Sequence, residues 1–138
     1  MPFVLDASVT LAWHFDDESE PFADSVSMRS AIEMVVVPAH WYAEVANGLI
    51  AGEWRGRSEP ARAGQFISRL EALDVEVDDL APVESFHRML PIARAHHLTI
   101  YDTFYLELAE RRGLELATLD KRLAAAARRV GIPTWSDT

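Results

Sequence analysis

The chain has 138 residues, 49% of them hydrophobic and 25% charged, a size and balance that suit one compact soluble domain over 1–138 and exclude a disordered polymer. With no cysteine, it can have neither disulfides nor thiolate ligands nor a cysteine nucleophile, so any metal must be held by oxygen or imidazole. Thirteen Lys and Arg against 22 Asp and Glu leave a net charge of -9, which weighs against gripping a polyanion with the surface as a whole. A divalent cation held among carboxylates would reverse that sign locally.

In chain order, the sequence alternates short apolar runs with longer helical patterns. Strands are expected at 3–5, 34–37, 75–77 and 116–119, with a weak fifth at Thr134 and Trp135. The runs are too short for buried helices. Their β-branched, nearly unbroken apolar character suits strands covered on both faces of a parallel sheet. Met34-Val35-Val36-Val37, stopped by Pro38, is the clearest. Helical patterns fill 8–15, 21–32, 39–54, 58–73, 82–96, 100–112 and 121–130. Ser58 reads as an N-cap ahead of Glu59 and Pro60, while Arg111-Arg112-Gly113 and the Gly131 to Pro133 segment read as helix stops. Strand–helix–strand units with right-handed crossovers build a doubly wound sheet, whose ligands bind beyond the carboxyl ends of the strands. The first residues, Met1 to Asp6, lack the basic start and apolar run of a signal peptide, and no stretch approaches the roughly 20 apolar residues of a membrane span. A cytoplasmic protein without membrane contact is expected.

Two acids directly follow strands: Asp6 after Phe3-Val4-Leu5, and Asp120 after the run ending in Leu119. Asp102 and Glu44 lie near helix starts, and Glu44 is set among His40, Trp41, Ala43, Val45 and Gly48, which do not form a wet face. Asn47 stands three residues on, on the same face as Glu44, where it could orient the acid or a bound water. Each acid alone also has a structural explanation. Asp6 and Asp120 are good N-caps, each worth about 1 kcal/mol, and Thr99 with Asp102 forms a cap whose third position favours an acid. His14, His40, His96 and His97 read as structural, the last pair suiting a helix C-terminus. Ser8 lacks the context of a nucleophilic serine and reads as a capping or orienting hydroxyl.

Four patterns occur in order: Val4-Leu5-Asp6-Ala7-Ser8; Pro38 with Glu44 and Asn47; Leu98-Thr99-Ile100-Tyr101-Asp102 with Tyr105; and Thr118-Leu119-Asp120-Lys121-Arg122-Leu123. Together they resemble the PIN-domain family, and more narrowly the VapC-type toxins of bacterial toxin–antitoxin pairs, over essentially the whole chain. The resemblance implies an α/β domain with a parallel sheet in the order 3-2-1-4-5, flanked by helices on both faces. It maps the family's acids onto Asp6, Glu44, Asp102 and Asp120, and its supporting polar positions onto Ser8, Asn47 and Thr118. Thr103 stands where alanine is common, which leaves the acid set intact.

Such a cluster has its own physical logic. Two unit charges about 4 Å apart repel by about 4 kcal/mol at an effective dielectric near 20, so four carboxylates need protons or a cation to coexist. Oxygen-only ligation fits Mg²⁺ or Mn²⁺, ions that lower the pKa of water and stabilise charge in phosphodiester hydrolysis. The expected activity is therefore metal-dependent endoribonuclease cleavage, with Asp6 and Asp102 on the principal ion and Glu44 and Asp120 on a second ion or on waters. Lys121, Arg122, Arg128 and Arg129 are candidate RNA contacts, or else an ordinary solvated basic face. The resemblance further implies an antitoxin partner and a homodimer, for which Trp13, Phe15, Phe22 and Trp54 are candidate contact residues, if they are not core. Two other readings compete: a non-catalytic binding module whose acids only cap helices, and an aspartate-based phosphoryl-transfer enzyme. The second wants another aspartate where Ser8 stands.

Overall fold

The computed structural model describes residues 1–15 and 20–135. Five parallel strands form one sheet in the order β3-β2-β1-β4-β5: β1 (Phe3–Leu5), β2 (Val35–Val37), β3 (Val75–Val77), β4 (Glu115–Ala117) and β5 (Thr134–Trp135). The order inferred from the resemblance is the one observed. In register, Phe3 and Val4 pair with Val35 and Val36 on one side, and Phe3 to Leu5 pair with Glu115 to Ala117 on the other. The three central strands β1, β2 and β4 carry the core, with Phe3 to Leu5, Val35 to Val37, Leu116 and Ala117 buried. β3 is an outer strand and is blunted accordingly, since Glu76 alternates between its two valines and pairs with Arg112 at 2.5 Å.

The helices are α1 (Ala7–Ala12), α2 (Pro21–Ser30), α3 (Trp41–Trp54), α4 (Pro60–Glu71), α5 (Leu90–His96), α6 (Ile100–Arg112) and α7 (Lys121–Arg129). Each expected element is present; β1, β3, β5 and α6 have the expected bounds, and the others differ at one or both ends. The strand expected at 116–119 is observed as β4 and stops at Ala117, so Thr118 and Leu119 belong to the turn that leads into α7. The long helix expected at 82–96 begins instead with a wide π turn, Ser85–Met89, ahead of α5. Pro91 explains the interruption: it has no N–H to return to the preceding turn, and its ring pushes the carbonyl there away. α5 then ends on His97 at φ 55° and ψ 44°, a left-handed position that glycine more commonly fills.

Ser58 is a correction. The N-cap position of α4 is Glu59, with no side-chain cap, and Pro60 opens the helix. Ser58 Oγ lies 2.7 Å from His14 Nε2, tying the turn before α4 to the end of α1. Pro60 already removes one of the unbonded N–H groups of the first turn, which lessens the need for a cap.

α3 carries two glycines that a free helix would disfavour by about 1 kcal/mol each. Gly48 faces α1 and Gly52 the residues just after it: a Cβ on Gly52 would lie 2.5 Å from the Phe15 ring, and one on Gly48 would lie 2.5 Å from Leu11. Their absence of side chains allows α1 to lie on α3 and brings the start of α1 close to Glu44. At the other side of the sheet, the Arg29 guanidinium stacks between Phe3 and Trp135, 4.5 and 4.6 Å from the ring centroids, and binds Glu115 at 2.8 Å. That sandwich holds the two-residue β5 in place. Phe15 belongs to the core, Trp13 and Phe22 are half-buried against it, and Trp54 is 79% exposed.

Candidate active site

β1 and β4 are neighbours whose connections leave in opposite directions, so the end of β1 is the switch point of the sheet. Asp6 sits there, buried, with its N–H donating to Ala117 O at 3.0 Å. It holds the N-cap position of α1 but makes no well-aligned capping hydrogen bond. Instead Oδ2 accepts from Ser8 Oγ at 2.7 Å and from Thr118 Oγ1 at 2.6 Å. Each of those hydroxyls also accepts a backbone N–H from the β4–α7 turn: Leu119 N donates to Ser8 and Asp120 N donates to Thr118. Ser8 and Thr118 thus join the two strand ends through Asp6. Burial raises the Asp6 carboxyl to about 6, against the two hydroxyl hydrogen bonds, which lower it, and with the Glu44 charge adding to the rise.

Asp120 is both a cap and a neighbour of the cluster, since its Oδ1 accepts from Leu123 N at 3.0 Å at the start of α7. Asp102 lies in the first turn of α6, and its N–H donates to Thr99 Oγ1 at 3.1 Å, as the capping pattern implied. Its carboxyl is raised to about 7, first by burial and then by the charges of Asp6, Asp120 and Glu44. One acid therefore feels the other three, although they come from β1, β4 and α3. Glu44 accepts from Tyr105 Oη at 2.7 Å and lies 3.0 Å from His40 Nε2, which is not aligned as a hydrogen bond. Tyr105 is fully buried beside Asp6 and Glu44, and burial and both charges push its hydroxyl far above the ordinary range.

Six of the seven residues singled out at the acids and their supports are thus linked by hydrogen bonds or charge. Asn47 is the exception: it is exposed, and among the described residues no hydrogen bond ties it to Glu44. His40 and Tyr105 are the additions. Their rings pack edge-on at 5.4 Å, and His40 also meets Tyr101 and Phe104. The apolar surroundings of Glu44 were the signal that a nearby polar partner was needed. On α7, Lys121 and Arg122 directly follow Asp120, whereas Arg128 and Arg129 lie about 10 Å further along the axis at the opposite end.

Among the described residues, no Lys or Arg side chain pairs with any of the four acids. Several arginines are committed elsewhere, as in the pairs of Arg88 and Arg111 with buried Glu107. In kind, an uncompensated set of carboxylate oxygens fits a hard divalent cation. In spacing it is not a closed cage: no three His, Asp or Glu side chains among the described residues converge closely enough to hold an ion as they stand.

Residues 3–129 match the family model described as PIN domain. The chain is 30% identical over 125 residues to Ribonuclease VapC3 of Pyrobaculum aerophilum, covering 90% of this chain and 93% of that protein. Its fold is similar to the crystal structure of PAE2754 from Pyrobaculum aerophilum, with a TM-score of 0.72 at 23% identity over 97% of this chain and 89% of that one. It is also similar to FitAcB from Neisseria gonorrhoeae, with a TM-score of 0.65 at 17% identity over 98% and 96% of the two chains. With its sheet order, matched span and sequence relative in agreement, the chain belongs to the PIN-domain family.

Proposed function

We propose that this chain is a divalent-metal-dependent endoribonuclease acting in the cytoplasm as the toxin of a toxin–antitoxin pair. The observation that carries the reading is the gathering of Asp6, Glu44, Asp102 and Asp120 at the switch point with no Lys or Arg paired to them among the described residues; burial first, and neighbouring acid charge after it, raises Asp6 to about 6 and Asp102 to about 7. Family membership supports a nuclease, and the name of the 30%-identical relative supports RNA as its substrate.

Mg²⁺ or Mn²⁺ bound there would supply Lewis acidity, polarising a phosphoryl oxygen and lowering the pKa of water. Asp6 and Asp102 are the acids with most to gain from such an ion, and hold it directly in this reading; Asp120 and Glu44 hold a second ion or orient water. Ser8 and Thr118 keep the Asp6 carboxylate aimed while spanning the β1–β4 junction. Lys121 and Arg122, exposed beside Asp120, contact the RNA backbone, and Arg128 and Arg129 extend that contact along α7. An antitoxin covers the site and packs in the apolar groove of about 580 Å³ between α3 and α4, lined by Trp41, Val45, Leu49, Ile67 and Leu70. The chain forms a homodimer.

The test is incubation of purified, antitoxin-free protein with total RNA, with Mg²⁺, with Mn²⁺ and with chelator, beside Asp102→Asn, followed by mapping of new RNA ends. Discrete cuts that need the ion and vanish in the variant are expected. Cuts that survive chelation and the substitution would overturn the assignment, and no cuts at all from folded protein would favour a non-catalytic binding module.

A further inference from the structure

We infer that Tyr105 is a positioning residue whose hydroxyl fixes Glu44 in the acid cluster and locks α3 and α6 to the chain immediately after Asp6. The inference rests on the ion-binding role proposed for Glu44. Tyr105 Oη donates to Glu44 Oε1 at 2.7 Å and accepts from Ala7 N at 3.4 Å. Ala7 follows Asp6 and begins α1, so its N–H is one of the donors that a helix start leaves without an intrahelical partner. Tyr105 is also three residues beyond Asp102, which puts the two on neighbouring positions of one helix face. One hydroxyl therefore meets all three segments that carry Asp6, Glu44 and Asp102.

Glu44 has little else to hold it. Among the described residues no Lys or Arg pairs with it, and His40 Nε2, though 3.0 Å away, is not aligned to donate. Glu44 is half-buried, and a glutamate with three free side-chain torsions would otherwise sample several rotamers. The Tyr105 ring is itself immobile, fully buried and packed against His40. A buried donor on a rigid ring is the means by which a flexible ligand is preset, and loss of such supporting hydrogen bonds lowers metal affinity by about 10- to 100-fold in metal sites generally.

Tyr105→Phe keeps the ring and removes only the hydroxyl. We expect Mn²⁺ affinity, measured by calorimetry on the RNA-free protein, to fall at least about tenfold, and the same substitution to change affinity no further when introduced into Glu44→Ala. Thermal unfolding of all four proteins separates this from lost stability, which would appear equally in both backgrounds. Tyr105→Phe binding Mn²⁺ as the unaltered chain does, or an equal loss in the Glu44→Ala background, would overturn the positioning role alone. Failure of the unaltered protein to bind Mn²⁺ would overturn both the role and the ion-dependent site on which it rests.

Discussion

Replacing Asp6 by asparagine should make the ion-free protein more stable at neutral and alkaline pH, and only there. The Asp6 carboxyl is raised from 3.8 to about 6, chiefly because it is buried. Well below pH 4 the group is protonated in both folded and unfolded chains and costs nothing. As the pH rises toward 6, the unfolded chain gives up this proton before the native chain does, so native stability declines, and the full cost is in place above about pH 6. A rise of about two units corresponds to about 3 kcal/mol. Asparagine is never charged and its carbonyl oxygen can still accept from Ser8 and Thr118, so Asp6→Asn recovers most of that cost. For a chain of this length the gain is a rise in Tm of roughly 5–10 °C at pH 8 and only a small fraction of that at pH 4. Thermal unfolding followed by circular dichroism, with chelator present at both pH values, measures it. An Asp6→Asn protein no more stable than the unaltered one at pH 8, or stabilised equally at both pH values, would refute the claim that this site stores uncompensated charge. A stabilising change that also abolishes function is the usual signature of strain kept for activity.

Thr118→Val should reduce activity by at least about tenfold and stability by about 1–2 kcal/mol, because it strips a donor from the buried Asp6 carboxylate and an acceptor from Asp120 N–H; initial cleavage rates and denaturant unfolding report the two effects. Gly52→Ala should destabilise by about 1–3 kcal/mol by pressing on the Phe15 ring, and Gly48→Ala by less, because Leu11 is only partly buried and can change rotamer; equal midpoints for the two variants would contradict this packing. Arg111→Ala should cost roughly 2–4 kcal/mol of stability, since it leaves buried Glu107 with Arg88 alone and breaks the 2.6 Å pair with Asp78. Ion binding should survive that last change, as measured by calorimetry, because none of these groups touches the acid cluster.

The central elements were legible because their burial is two-sided. Val35 to Val37 can be little other than an inner strand, and the acid that follows Phe3 to Leu5 falls at the binding edge of any doubly wound sheet. The strand order itself came from the resemblance, since three-residue strands carry no information about their neighbours. Capping patterns were ambiguous in a specific way: Asp120 does cap its helix, whereas Asp6 occupies the cap position but spends its carboxylate on Ser8 and Thr118. Sequence spacing could not separate these cases, because the deciding hydroxyl comes from 112 residues away. Asn47 was placed by helical spacing and by the resemblance; it is exposed, and spacing alone did not show whether it would meet Glu44. Tyr105 was visible as part of a motif, and its role emerged only when α6 was set against Glu44 and Ala7. Ser58 failed as a cap for the same kind of reason, its hydroxyl being taken by His14 across the turn.

The most direct test of the account is a crystal of the protein soaked in Mn²⁺, with the ion located by its anomalous scattering. The account predicts a peak among Asp6, Glu44, Asp102 and Asp120, with Asp6 and Asp102 as protein ligands, and its loss in Asp102→Asn. A well-ordered crystal with no peak there, or with Mn²⁺ bound instead at the acidic end of β3 by Glu76, Asp78 and Asp79, would contradict it.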